Sequence, residues 1–117
     1  MEEDLAPFLP LSPAALHVLL CLAGEPQHGY GIMQEVARQS GGHYKLGPGT
    51  LYDNLQKLVS QGMVEEAPRP ATNEDPRRRY YRLTVFGRHV LEADVERLKN
   101  VVREAGLRLR QPKPRRA

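Results

Sequence analysis

The sequence predicts a mainly α fold with a minor β part: three helices, a two-stranded hairpin, then one long C-terminal helix. Three observations predict it. Apolar residues recur at helical spacing in three successive stretches bounded by serine, proline and glycine. The period then shortens over two brief runs separated by a proline-containing loop. A last helical pattern follows Thr84 and outruns the other three.

Residues 1–11 are acidic (Glu2, Glu3, Asp4), contain prolines and show no clear period, so they read as an N-terminal extension. The first helix opens at Ser12-Pro13, where serine caps free N–H groups and proline fits the first helical position. It runs from Ala14 to Leu22, with an apolar arc wide enough to be covered on more than one side. Gly24 closes it and Pro26 prevents its resumption. His28 reads as part of the turn that follows. From Tyr30 a second helix places Ile32, Met33, Val36 and Ala37 on one face, and Ser40-Gly41-Gly42 stops it.

Gly47-Pro48 opens the third helix, in which Leu51, Leu55, Leu58 and Val59 form a stripe expected to be buried. Gly62 supplies the terminating glycine. Met63 to Ala67 reads as a short strand and Arg79 to Leu83 as a second, aromatic-rich one. The loop between them carries the turn residues Pro70, Asn73 and Asp75. Thr84 caps the final helix, whose apolar positions are Val85, Val90, Leu91, Val95, Leu98, Val101, Val102 and Leu109. Gly106 is expected to weaken its last turns. Residues 111–117 form a basic tail expected to be disordered. Three helices followed directly by a hairpin is the winged helix-turn-helix arrangement, whose third helix enters the DNA major groove. The chain therefore divides into an extension (1–11), a winged helix-turn-helix domain (12–83), a dimerisation helix (84–110) and a tail (111–117).

Composition narrows the function class. At 117 residues the chain is the size of one domain, and a mean hydropathy of −0.54 favours burying a long terminal helix against a second subunit. Lys and Arg total 17 against 14 Asp and Glu, a net charge of only +3, so distribution matters more than the sum. Arginines cluster at Arg77-Arg78-Arg79 and again in the tail, which suits one anionic partner face. The single cysteine, Cys21, excludes an intramolecular disulfide framework and fits a reducing cytoplasm. No apolar run approaches the ~20 residues of a membrane span.

Three strings, in order, resemble the PadR family of transcription regulators. His28-Gly29-Tyr30-Gly31-Ile32 resembles the family signature in the second helix. Gly49-Thr50-Leu51-Tyr52, with Leu55, Leu58, Gly62, Met63 and Val64, is similar to its recognition helix and following strand; Met63 replaces the common leucine. Arg79-Tyr80-Tyr81-Arg82-Leu83-Thr84 with Gly87 resembles its second wing strand and the start of the last helix. Together they cover about residues 12–90. The single C-terminal helix resembles the compact branch of the family. The resemblance implies a homodimer on a roughly palindromic operator, usually a repressor, sometimes released by a small molecule. It also implies that Tyr30 and Tyr52 meet the DNA backbone; a tyrosine buried by its ring alone is the plainer reading of each.

The residues themselves nominate a double-stranded DNA interface. On the third helix Thr50, Asp53, Asn54, Lys57 and Gln61 lie opposite the apolar stripe, where Thr50, Asn54 and Lys57 suit groove contacts and Asp53 is repelled by phosphate. An ordinary solvated face is the alternative. Gly49 and Thr50 at the helix start, with Lys45 just before it, suit a phosphate. In the wing, Arg77, Arg78 and Arg79 suit phosphates or the minor groove, although strand alternation predicts that not all three touch one surface. A solvated turn is the alternative there. Leu91, Val95, Leu98 and Val102 nominate the last helix for dimerisation, against a helix folded back on its own domain.

Enzyme chemistry is not indicated. His17 and Cys21 lie at i, i+4, but two ligands do not make a metal site, and no acid, base and nucleophile converge. No cofactor is expected. The leading reading is a homodimeric, cytoplasmic, sequence-specific DNA-binding repressor. A small apolar effector is an open part of it, in a chamber between subunits lined by Phe8, Leu9, Val95 and Leu98. The alternative is a winged-helix adaptor whose basic wing meets an acidic protein surface.

Overall fold

The structure is a computed structural model that describes residues 4–71 and 75–110. The expected tail and the turn residue Asn73 lie outside the described residues. A short 3-10 turn (Ala6–Phe8) precedes α1 (Pro13–Gly24), β1 (Gln27–His28), α2 (Gly29–Gln39), α3 (Pro48–Ser60), β2 (Val64–Ala67), β3 (Tyr80–Leu83) and α4 (Val85–Arg110).

The helix ends follow from local chemistry. Ser12 Oγ accepts the Ala15 N–H at 3.1 Å, with Pro13 at the first helical position of α1. α3 ends at Gly62, whose φ of +78° admits glycine without strain. There the Gly62 N–H donates to Val59 O at 3.0 Å and the Met63 N–H to Leu58 O at 2.9 Å. α4 starts at Thr84, whose hydroxyl accepts the Gly87 N–H at 2.9 Å. That helix runs unbroken through Gly106 to Arg110, so the glycine does not end it.

The hairpin expected from the sequence is one part of a three-stranded antiparallel sheet, in the order β1-β3-β2. Glu66 and Gln27 both pair with Tyr81, and Ala67 and His28 both pair with Tyr80. His28 is therefore a strand residue rather than turn, and β1 is too short to display any period. Tyr80 is buried and Tyr81 half-buried, as alternation requires.

Val18, Leu19, Ile32, Val36, Leu51, Leu55, Met63, Val64 and Val90 form the most deeply buried part of the core. Val59 departs from the stripe expected of α3: it is 44% exposed, on the flank that faces the wing. The N-terminal segment is docked although it has no period. Leu5, Phe8, Leu9 and Leu11 pack on the core, with Phe8 edge-on to Phe86 at 5.2 Å. Leu91, expected in a dimer seam, belongs instead to its own domain's core at 5% exposure, because the first turns of α4 pack on α1. Asp94 is fully buried beside it. Its Oδ1 accepts from Arg97 Nε at 2.7 Å, and its Oδ2 has no hydrogen-bond partner among the described residues.

Gly87 is fixed by close approach. A Cβ there would fall inside the van der Waals radius of the Met63 carbonyl oxygen, a backbone atom that cannot swing away. We expect Gly87→Ala to lower stability by about 3 kcal/mol, in the upper range for overpacking. Denaturant unfolding should show the loss, whereas Gly24→Ala, with nothing within 4 Å of its added Cβ, should leave the midpoint nearly unchanged.

Candidate nucleic-acid interface

Three separate parts of the chain meet around one cleft of about 320 Å³. The start of α2 contributes His28, Gly29 and Tyr30; α3 contributes Tyr52; the wing contributes Asp75, Arg77, Arg78, Arg79 and Tyr81. Gly29 makes the junction possible, because a Cβ at that position would lie 2.5 Å from the Tyr52 hydroxyl oxygen. Tyr52 thus lies against the α2 backbone in its present position because Gly29 has no side chain. Its ring and that of Tyr30 are about half exposed, at 51% and 57%.

All three wing arginines line this cleft, contrary to the alternation expected of them. The reason is that they precede β3, which begins at Tyr80, so strand geometry does not apply. Each has a carboxylate near it. Arg77 Nε lies 3.4 Å from Asp75 Oδ1, Arg78 Nε 3.9 Å from Asp75 Oδ2, and Arg79 Nε 3.8 Å from Glu66 Oε1. The Arg77 backbone N–H and its guanidinium hold the Asp75 carboxyl below its usual range. Arg78 Nη1 also sits 3.2 Å from His28 Nε2. Burial, then the Arg78 charge, push His28 below the ordinary imidazole value.

The third helix presents three faces. Leu51, Leu55 and Leu58 are buried in the core. Tyr52, Gln56 and Val59 turn toward the wing, where they share a recess with Glu66, Arg79 and Tyr81. Asn54, Lys57 and Gln61 line a second cleft, closed by Pro7, Phe8, Pro10, Leu11 and Ser12 of the N-terminal segment. Gly49, Thr50 and Asp53 are exposed at the front of the helix, and Lys45 is exposed just before it. Asn54 is half-buried and donates its amide to Thr50 O at 2.8 Å.

Of the residues nominated from sequence, Tyr30, Tyr52, Arg77, Arg78 and Arg79 therefore converge. Lys45, Gly49 and Thr50 stand at the α3 entry, while Asn54 and Lys57 lie on its other flank. His28, Asp75, Gln56 and Tyr81 were missed. His28 and Tyr81 are joined to the cleft only by strand pairing of β1 with β3, which two residues of sequence do not signal.

Comparison with known proteins decides the family. Residues 18–93 match the model of the "Transcriptional regulator PadR-like family". The chain belongs to the PadR-like family of transcriptional regulators. It is 35% identical over 89 residues to transcriptional regulator Rv3488 of Mycobacterium tuberculosis, covering 76% of this chain and 78% of that one. A PadR family transcription regulator from Clostridium difficile R20291 shares the fold with a TM-score of 0.70 at 20% identity, over 84% of this chain and 99% of that one. Bacillus subtilis PadR, solved in complex with operator DNA, superposes with a TM-score of 0.64 at 19% identity, over 92% of this chain. The match spans 54% of that longer chain.

The family is one of transcriptional regulators. Cys21 of this PadR-like chain is buried in the core, and burial, then Glu35 and Glu25, push its thiol up to about 11. His17 turns away to stack on Tyr44 at 4.9 Å. Thiolate is the nucleophile, and at pH 8 a pKa near 11 leaves about a hundredfold less of it than an ordinary thiol has. Iodoacetamide should therefore modify the native protein at least about a hundredfold more slowly than the urea-unfolded chain. Mass spectrometry over time would show it, and rapid native labelling would defeat the assignment of Cys21 as a core residue.

Proposed function

We propose that the chain is a homodimeric, sequence-specific DNA-binding repressor of the cytoplasm, which reads a roughly palindromic operator with α3 in the major groove. The observation that carries this reading is the single cleft where Tyr30, Tyr52 and three arginines converge beside the front of α3. Two phenol hydroxyls and three guanidinium groups at one groove edge suit a phosphate backbone, and phosphate contacts fix the register of a helix in the groove. Gly49, Thr50, Asn54 and Lys57 then supply base and backbone contacts, with Lys45 at the helix entry. The Bacillus subtilis PadR complex with operator DNA supports the same use of this fold. Among the described residues, no helix is long and apolar enough to cross a membrane.

The bare face of α4 supports the dimer. Leu91, Asp94, Val95, Leu98, Val101, Val102, Ala105 and Leu109 form one stripe at steps of three and four. Its first part is covered by the domain. Its second part is bare: Val101 is 53% exposed, Val102 71% and Leu109 84%. Val95 and half-buried Leu98 stand at the boundary. A second copy of α4 is the natural cover, and a two-fold protein matches a two-fold site. A small apolar effector would enter between the subunits near Val95 and Leu98. Phe8 and Leu9, already packed on the core, would have to yield part of that contact.

Selection of bound sequences from a random duplex pool tests the DNA reading. An enriched inverted repeat, with half-sites about one helical turn apart, is the expected result. A folded dimer that enriches nothing at modest salt would favour the adaptor with an acidic protein partner. The α4 pairing has its own test. Replacing Val101 and Val102 together by Asp should raise the dimer dissociation constant more than about a hundredfold, through lost apolar burial. Sedimentation would then show monomer, with the domain's own unfolding unchanged because both side chains are exposed in it. An unaltered dimer mass would move the interface elsewhere.

A further inference from the structure

We propose that His28 is a phosphate-binding residue: its Nε2–H and the Arg78 guanidinium form one two-donor fork for a single anionic oxygen of the DNA backbone. The inference rests on the DNA reading above and adds to it a residue that sequence reasoning had placed in a turn.

The argument begins with the other ring nitrogen. His28 caps α2, and its Nδ1 accepts the Gly31 N–H at 3.1 Å. An accepting nitrogen carries no proton, so the neutral ring holds its proton on Nε2. Nε2 lies 3.2 Å from Arg78 Nη1, and a guanidinium only donates. Two donors therefore face each other. Arg78's carboxylate partner is at a distant 3.9 Å, through Nε rather than Nη1. An anionic oxygen lodged between Nε2 and Nη1 would satisfy both donors in one charge-assisted contact.

The ring is held for this role from three sides. Its backbone pairs with Tyr80 across the sheet, its ring lies nearly perpendicular to the Tyr80 ring at 5.2 Å, and its Nδ1 is fixed by the cap. The groups around the cleft are Arg77, Arg78, Arg79 and Asp75 of the wing, Tyr81 of β3, Tyr52 of α3 and Tyr30 of α2. Three cations line the cleft against one carboxylate, and burial of the ring, then the Arg78 charge, favours the neutral imidazole.

The full chain is the material for the test, with its selected duplex and an unrelated duplex of equal length. His28→Asn keeps a side-chain oxygen able to cap Gly31 and removes the Nε2 donor. We expect its melting temperature to hold and its affinity to fall about tenfold on both duplexes, the loss of a hydrogen bond to a charged group. The salt slope should not change, because no cation is lost. Arg78→Gln should weaken binding and reduce the slope by about one. The double variant should bind little worse than Arg78→Gln, because both donors serve one oxygen. Parent-like affinity of a folded His28→Asn, or losses that simply multiply, would overturn the fork and leave the DNA reading intact. A parent that binds neither duplex would overturn both. Should His28→Asn fail to fold, ring nitrogen NMR of the parent decides. An Nε2–H signal that shifts on adding duplex supports the fork, and an unmoved signal or a proton on Nδ1 overturns it.

Discussion

The hydroxyl of Thr84 holds the architecture together at one point. It donates to Gly62 O at 2.5 Å and accepts from the Gly87 N–H at 2.9 Å, while the Thr84 N–H donates to Met63 O at 3.1 Å. The end of α3, the start of β2, the exit of β3 and the first turn of α4 thus share three hydrogen bonds within a few residues. Gly87 lets the Met63 carbonyl approach the α4 backbone directly. Neither side of this joint can rotate without breaking a bond or creating a clash. If α4 pairs two subunits, the angle between their α3 helices is set here, and with it the spacing of half-sites that the dimer can read.

A second close contact organises the cleft, and it has the same character. Tyr52 reaches the α2 start because Gly29 has no side chain, and the wing reaches the same place because β1 binds β3. Elements far apart in sequence are thereby held together by strand pairing and by one tyrosine seated over a glycine. That favours binding, because a cleft formed in the free protein loses little conformational entropy when it is occupied.

The three helices, the wing and the last helix were legible because each carries a period long enough to read and terminators whose chemistry is local. Ser12, Gly62 and Thr84 all act where their residue types predict. What escaped the sequence was non-local. β1 has two residues, and its existence depends on β3 fifty residues later. Val59 fits the buried stripe by spacing but stands on the flank toward the wing, a matter of where neighbours end. Leu91 and Val102 share one stripe, yet the first is 5% exposed and the second 71%, because the domain covers only the near part of α4. Periodicity gives a face and does not say which partner covers it. Asp94 interrupts that stripe with a buried carboxylate, and only Arg97, one turn on, makes sense of it. For the candidate site, residue type pointed to the tyrosines and arginines that one cleft brings together. His28 was missed because its importance lies in a tautomer set by a cap, which no residue spacing announces.

The modest net charge of +3 bears on how such an interface discriminates. Wing arginines stand beside carboxylates: Arg77 and Arg78 by Asp75, Arg79 by Glu66, and Arg82 by Glu65 at 2.9 Å. Solvent-exposed pairs of this kind contribute about 0–1 kcal/mol, so exchanging a carboxylate for a phosphate costs little. The same carboxylates weaken the field that would otherwise draw the wing to any polyanion. Loose binding is thereby reduced more than close docking, in which the arginines change partner. If α3 enters the groove as proposed, the wing contributes fully only once α3 fits, so correct sequences would gain over the background of incorrect ones.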